Sequence, residues 1–167
     1  RPGVYINFAS ADDLTLNVGD RGVVAICEPM SWGPVGQVMT VEAGMDTTSV
    51  CGYAITAPEA RFLREIFRGS NRTAGPQKVL LYRPAAASSA KATATTGQLT
   101  ATARYPGARG NDIAIAIQAQ VDEEDLFLVQ TLVDGTIVDS QGAATIADLT
   151  ANAWVEWSGS GALAATA

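Results

Sequence analysis

The side chains that most often carry enzyme chemistry are sparse in this chain. It contains no histidine, which removes the commonest general base, the histidine-activated nucleophiles and most transition-metal sites. The phosphate-binding pattern GxxxxGK[ST], the nucleophile pattern GxSxG and the redox pattern CxxC are all missing from the sequence. A carboxylate pair such as Asp112 and Glu156 could support hydrolysis, but the sequence gives no reason to place the two together. We therefore predict no catalytic residue, no cofactor, no metal site and no enzymatic activity.

Two polar segments could bind ions, but the sequence favours turns. The glycines of GARGND, residues 107–112, could present backbone amides to an anion. This segment does not connect a strand to a helix in a βαβ unit, where such loops hold phosphate. Residues 122–125, DEED, are four adjacent acids without the spacing of a calcium-binding loop. We interpret GARGND as a tight turn between strands and DEED as a solvated β-turn.

The tryptophans offer an alternative function. Trp32, Trp154 and Trp157 could stack on sugars, which would suit a surface or glycan-binding module. Trp154 and Trp157 are three residues apart, so on a strand they face opposite sides and cannot form one platform. We predict core packing for one of them and partial exposure for the other.

Composition indicates a globular chain with an uneven charge distribution. Apolar residues make up 47% and charged residues 17% of the chain. Residues 1–84 carry eight basic and eight acidic side chains, whereas residues 85–167 carry three and nine. The second half therefore lacks the basic surface that nucleic acid requires, and no apolar run approaches the roughly 18 residues of a membrane span. Cys27 and Cys51 lie in apolar contexts, and we expect buried free thiols.

The first half predicts a helix packed on a sheet. Residues 23–27, VVAIC, are continuously apolar, which predicts a strand buried on both faces. Short strands are also expected in QVMTVEAG and QKVLLYRP. Residues 57–69 predict the clearest helix, with Thr56 and Glu59 forming a capping box and Gly69 at its end.

The second half predicts an antiparallel β-module. Apolar and polar residues alternate through most of residues 93–160, as in strands with one buried face. Asp134-Gly135 is the favoured two-residue turn of a hairpin. One helical turn is expected in TIADLTAN, followed by a last strand in AWVEWSG. A sandwich or half-barrel would accommodate these strands.

The first strand of the chain has no local partner. Val4, Ile6 and Phe8 alternate with Tyr5 and Asn7, which predicts a strand, but no second strand follows at hairpin distance. We expect a mixed α+β fold in a chain that is truncated after residue 167. Its predicted organisation is an N-terminal arm (1–18), a partial α/β core domain (19–86), a linker (87–92) and a β-rich domain (93–167).

A series of segments resembles the tail sheath protein of contractile-tailed bacteriophages, of the type found with Gram-positive hosts. These segments are RPGVYINF, VGDRGVVAI followed by WGP, APEARFLREIFRG followed by KVLLYRP, and ARYPGARGNDIAIAI. They occur in the family's order and span nearly the whole chain. The C-terminal part of the family is missing.

This resemblance implies a structural role in the virion tail, after assembly in the host cytoplasm. Sheath subunits form stacked hexameric rings around an inner tail tube, between a baseplate and a tail terminator, and contract to drive the tube through the host envelope. The resemblance also implies that the β-rich domain (93–167) is an outward-facing insertion and that Val4, Tyr5, Ile6 and Phe8 donate a strand to a neighbouring copy. The residues alone leave open that this strand pairs within its own subunit. No nucleic acid partner and no membrane insertion are expected. The sequence does not separate a phage from a tail-like bacteriocin.

Overall fold

A computed structural model describes residues 22–70, 74–85, 90–121, 123 and 125–165. We call residues 22–85 the α/β part and residues 90–165 the β-rich part. Together they contain one clear helix and nine strands in three sheets, which confirms the predicted α+β class.

The α/β part is a small mixed sheet covered by a helix. Its strands are β1 (Val23–Cys27), β2 (Val38–Glu42) and β3 (Lys78–Tyr82), in the order β1-β3-β2. β1 runs parallel to β3, and β2 runs antiparallel to it. A short helix α1 (Thr48–Cys51) and helix α2 (Arg61–Arg68) connect β2 to β3. The buried core consists of Val41, Val50, Cys51, Ala60, Leu63, Val79 and Leu81.

Two local predictions in the α/β part are wrong. β1 is largely exposed rather than buried on both faces, because it lies at the sheet edge and Ile26 is the one of its five residues that packs against the core. The predicted capping box of Thr56 and Glu59 is also missing. A 3₁₀ turn, Pro58–Ala60, precedes α2, and neither helical segment has a side-chain cap. The carbonyl of Thr56 instead accepts a hydrogen bond of 2.9 Å from Nη1 of Arg64.

The β-rich part consists of two antiparallel sheets. One sheet holds β4 (Thr93–Thr96), β5 (Leu99–Ala103) and β9 (Val155–Ser158), in the order β4-β5-β9. The other holds β6 (Ile113–Ala119), β7 (Phe127–Val133) and β8 (Thr136–Ala143), in the order β6-β7-β8. Alternate residues of the central strands β5 and β7 are buried, as in a sandwich in which two sheets pack face to face. Edge strand β4 is exposed along its whole length.

Turn chemistry in the β-rich part follows the sequence closely. Asp134 and Gly135 both have positive φ, 52° and 75°, as a type I′ hairpin turn between β7 and β8 requires. The expected helical turn is a 3₁₀ turn, Ile146–Asp148, which begins with a capping box between Thr145 and Asp148. Among the described residues, no helix has the length and apolar character needed to cross a bilayer.

Candidate functional site

The feature that fastens the two parts to each other is a buried cluster, which we call the joint. Its central residues are Trp32, Arg83 and Arg109, each at most 5% exposed. Trp32 and Arg83 belong to the α/β part, whereas Arg109 belongs to the β-rich part. Each of the three contacts groups of the other part, so the joint connects the two parts.

Trp32 inserts an α/β side chain into the core of the β-rich part. Its ring lies 4.8 Å from the Trp154 ring, centroid to centroid, and meets Tyr105 edge-on at 5.4 Å. The loop that carries Trp32 packs closely on Gly52, where a Cβ atom would come within 2.8 Å of the tryptophan. Since an aromatic side chain of this size dominates the energetics of an interface, we take Trp32 as the main apolar contact of the joint.

Arg83 donates hydrogen bonds to backbone carbonyls of two other loops, one in each part. Its Nη1 donates a 2.5 Å hydrogen bond to Gly33 and its Nη2 a 2.7 Å hydrogen bond to Pro106. Burial lowers the pKa of the guanidinium. Gly107, at φ 130°, approaches so closely that a Cβ atom would lie 2.3 Å from the carbonyl oxygen of Ser31. A larger residue at Gly107 would therefore push the two parts away from each other.

Arg109 extends from the β-rich part to the α/β part, and two carboxylates of the β-rich part hold it in place. Its Nη atoms donate to both carboxylate oxygens of Asp134, at 2.8 and 2.6 Å, while Nη1 also donates to Asp112 at 3.1 Å. Nε donates to the carbonyl of Gly52 at 3.1 Å, and the guanidinium lies 4.2 Å from the centroid of the Tyr53 ring. A bidentate pair of this kind fixes geometry as well as adding energy.

Asp134 holds Arg109 from a hairpin turn. The turn places this residue at the tip between β7 and β8. The hydrogen bond from Arg109 lowers the pKa of Asp134, and the bonds to Asp134 and then Asp112 raise the pKa of Arg109 against its burial.

The free energy of unfolding at low pH should depend on the Asp134 carboxylate. A group whose pKa is lower in the folded chain contributes stability in full above the ordinary carboxyl pKa, about 4, and loses it as the pH falls through the folded value. We expect Asp134→Asn to flatten the fall in unfolding free energy below about pH 4, measured by urea denaturation across a pH series. Asp125→Asn, on the exposed loop after β6, is the matched control. If the unfolding free energy falls as steeply at low pH in Asp134→Asn as in the parent, the pair of Arg109 and Asp134 does not stabilise the fold.

A second polar network holds the segment before β9. The Asn152 side chain donates to Thr131 at 2.9 Å and to Asp139 at 2.8 Å, and it accepts from the backbone amides of Trp154 and Val155. These bonds fix the segment that carries Trp154 and leads into β9, so they position Trp154 in the joint.

The residues singled out in the sequence have different outcomes. The predicted arm residues Val4, Tyr5, Ile6 and Phe8 lie outside the described residues. Cys51 is buried, but Cys27 is exposed, so the expectation of two buried thiols is wrong at Cys27. The cause is its position on the uncovered face at the end of edge strand β1.

The tryptophan prediction is confirmed. Trp154 is 6% exposed and packs in the joint, whereas Trp157 is half-buried and donates from Nε1 to the carbonyl of Thr150 at 3.0 Å. Burial of Trp32 and Trp154 leaves a glycan-binding surface with only Trp157 of the three side chains proposed for it.

Carboxylates proposed for chemistry have other partners. Asp112 pairs with Arg109, and Glu156 pairs with Lys91 at 3.1 Å. Within the described ranges, no group of three or more potential metal ligands comes together. The GARGND segment forms a 3₁₀ turn, Ala108–Asp112, and its important residue is Arg109, which the sequence interpretation treated only as part of a turn.

Comparison with known families gives a consistent assignment along the chain. Residues 21–83 match the family model described as "Tail sheath protein Gp18 domain III N-terminal region". Residues 85–167 match the model described as "Phage tail sheath protein beta-sandwich domain". The two matches meet where the α/β part gives way to the β-rich part.

Similar proteins and structures have compatible descriptions. Phage-like element PBSX protein XkdK of Bacillus subtilis is 32% identical over 166 residues, covering 99% of this chain and 34% of that protein. The crystal structure of a sheath tail protein from Desulfitobacterium hafniense is 43% identical with a TM-score of 0.81, covering 99% of this chain and 37% of that one. A sheath tail protein from Listeria innocua is 27% identical with a TM-score of 0.72, covering 88% and 32%. This chain thus spans about a third of the length of these proteins.

Proposed function

Since this chain belongs to the phage tail sheath protein family, we propose that it polymerises around an inner tail tube and contracts to drive the tube through the host envelope. The role is structural and not enzymatic. The energy of such a process would come from the difference between two packings of the same subunits, so no nucleotide site is required.

The observation that carries this proposal is the joint between two parts that each match a sheath domain. A subunit that transmits force through a lattice must resist separation of its own parts. Trp32 supplies a buried apolar contact between the parts, and the guanidinium groups of Arg83 and Arg109 donate to backbone carbonyls of the opposite part. We propose that the α/β part lies nearer the tail axis and the acidic β-rich part faces outward.

Polymer formation by the complete gene product tests the sheath function. The protein would be purified and examined by negative-stain electron microscopy for tubes or helical polymers. Tubes of subunits support a sheath, whereas a protein that stays monomeric at all concentrations and ionic strengths would contradict it. Co-purification with an inner tube protein, a baseplate component or a tail terminator would test the proposed partners.

We further propose that Val4, Tyr5, Ile6 and Phe8 add a strand to a sheet of a neighbouring copy. Strand addition combines backbone hydrogen bonds with pockets for alternate side chains. Each bond contributes only about 0.5–1.5 kcal/mol net, so one arm is a weak link that a lattice repeats at every subunit. Residues between this strand and β1 would allow rotation while the strand stays in place.

Shortening the arm should weaken assembly strongly. Deletion of residues 1–9 is expected to raise the critical concentration for polymerisation more than about tenfold, the factor that corresponds to 1.4 kcal/mol. Ile6→Asp should act in the same direction, because Ile6 lies on the apolar side of the alternation. Asn7→Asp, on the other side, is its matched control. Equal polymer yields for the parent, the deletion and both variants, measured by sedimentation, would disprove strand donation.

A further inference from the structure

The β-rich part has an open apolar groove along one side. Two adjoining cavities of about 210 Å³ each lie between the edge strands β4 and β6 and share Ala94, Ala101, Ile113 and Ile115. Their lining contains no charged side chain. We call this the β4–β6 groove. The lining also includes the polar but uncharged Thr93, Thr95, Thr96 and Asn111. Interiors of proteins are normally close-packed, so an uncharged opening between two sheets, with alanine and isoleucine shared by both cavities, can receive further apolar side chains.

The opposite side of the same sheet carries an apolar ridge. Ile137 and Val138 on edge strand β8 are 51% and 42% exposed, and we call them the β8 ridge. Consecutive residues of a regular strand point to opposite faces. Here Asp139 pairs with Thr131 but Ile137 pairs with Leu132, so Val138 is the extra residue of a bulge. A bulge changes the direction of side chains and also discourages strand pairing at an edge.

The positions of groove and ridge favour a repeating contact. β6 and β8 are the two edges of one three-stranded sheet, so the groove and the ridge lie on opposite sides of the β-rich part. A patch on one side that fits a pocket on the other forms a head-to-tail contact, which builds rings or open helices rather than closed pairs. Because the groove lining is uncharged, an aliphatic ridge meets no charge to desolvate there.

We propose that the β8 ridge of one copy inserts into the β4–β6 groove of the next copy in the polymer. This contact rests on the proposed sheath function and adds a lateral connection between β-rich parts. The contact is small, and it gains strength by repetition along the lattice. It is a side-chain contact, because the bulge at Val138 interrupts the hydrogen-bonding edge of β8.

A charge exchange tests the contact. Ala94 is exposed and pairs with the inward-facing Ala101, so its side chain points into the groove. In the complete gene product, Val138→Asp, Ile137→Asp and Ala94→Lys are each expected to raise the critical concentration for polymerisation about tenfold or more. The double variant of Val138→Asp with Ala94→Lys is expected to recover at least half of the parental polymer, since the new charges would pair across the contact. Val121→Asp, which replaces a valine that is 97% exposed outside both surfaces, should polymerise like the parent.

The possible outcomes separate this inference from the sheath function. Polymers of the parent together with normal polymerisation of all three single variants would overturn the ridge-and-groove contact and leave the sheath function intact. Loss caused by Ala94→Lys alone would also overturn it, because another segment such as the N-terminal arm would then occupy the groove. A double variant no better than the singles would exclude direct contact. A parent that forms no polymer would overturn both proposals.

Discussion

Replacing Trp32 with alanine is expected to lower the free energy of unfolding by about 3–5 kcal/mol, the range for a buried large aromatic residue. The side chain is 1% exposed and its ring contacts Trp154 and Tyr105. The cavity left behind would be lined by groups from both the α/β part and the β-rich part. Neither part alone can move to fill it while Arg83 and Arg109 hold them together, so the full cavity cost should appear.

The strands and helices that lose protection from hydrogen exchange distinguish Trp32 in the joint from an ordinary core residue. Leu63→Ala is the control, because Leu63 is fully buried in the α/β core and lies outside the joint. Amide hydrogen exchange should become faster in β5 and β9 for Trp32→Ala, but in α2 and β3 for Leu63→Ala. If Trp32→Ala costs less than about 1 kcal/mol, well below the range for such sites, or leaves exchange in β5 unchanged, Trp32 does not hold the two parts together.

Local chemistry allowed much of the fold to be predicted. The hairpin at Asp134-Gly135 follows from the conformations those two residues prefer, and the structure has it. The helix packed on a sheet, which the first half of the sequence predicts, is present as well. Such features depend on residues close in sequence, so their physical causes are visible in the sequence itself.

Errors arose where tertiary position decides the outcome. An apolar run such as VVAIC fits a central strand, but β1 lies at the edge of its sheet and is mostly exposed. Thr56 and Glu59 have the spacing of a capping box, yet Arg64 and the 3₁₀ turn at Pro58 take over the start of the helix. Position in a sheet and competition from distant side chains are not encoded in local spacing.

The joint was not predicted, because its members are far apart in sequence and ordinary in type. Arg83 bonds to carbonyls 50 and 23 residues away, and Arg109 bonds to a carbonyl 57 residues away and to Asp134, 25 residues away. A backbone carbonyl carries no sequence signature, so no motif marks these contacts. The buried arginines become recognisable only when the two parts are seen together.

Removal of Arg109 should be the most informative change in the polar half of the joint. We expect Arg109→Met to lower the free energy of unfolding by about 2–4 kcal/mol, since charge-assisted hydrogen bonds contribute about 1.5–3 kcal/mol and an unpaired buried acceptor costs more. Methionine keeps the apolar stem but leaves the buried Gly52 carbonyl without its donor and removes the stacking on Tyr53. Asp134, with a side chain 63% exposed, can regain water, so it adds little to the loss.

Replacement of Asp134 tests the same ion pair through the partner of Arg109. Asp134→Asn keeps the hairpin, because Asn-Gly suits a type I′ turn as well as Asp-Gly does. It leaves a buried guanidinium with Asp112, Gly52 and one amide oxygen as acceptors, so the expected cost is smaller, about 1–2 kcal/mol. Combined in a double-mutant cycle measured by urea denaturation, the two changes should fall short of additivity by about 1 kcal/mol or more.

Polymers of the Arg109→Met variant test whether Arg109 positions the β-rich part or only adds stability. If Arg109 only stabilises each part, Arg109→Met should change polymer formation no more than Leu63→Ala at equal loss of unfolding free energy. If Arg109 fixes the β-rich part relative to the α/β part, Arg109→Met should disorder the outer layer of the polymers, seen as loss of the outer density in averaged electron micrographs, while the inner layer persists. Polymers of normal outer density formed by Arg109→Met would contradict a positioning role for Arg109.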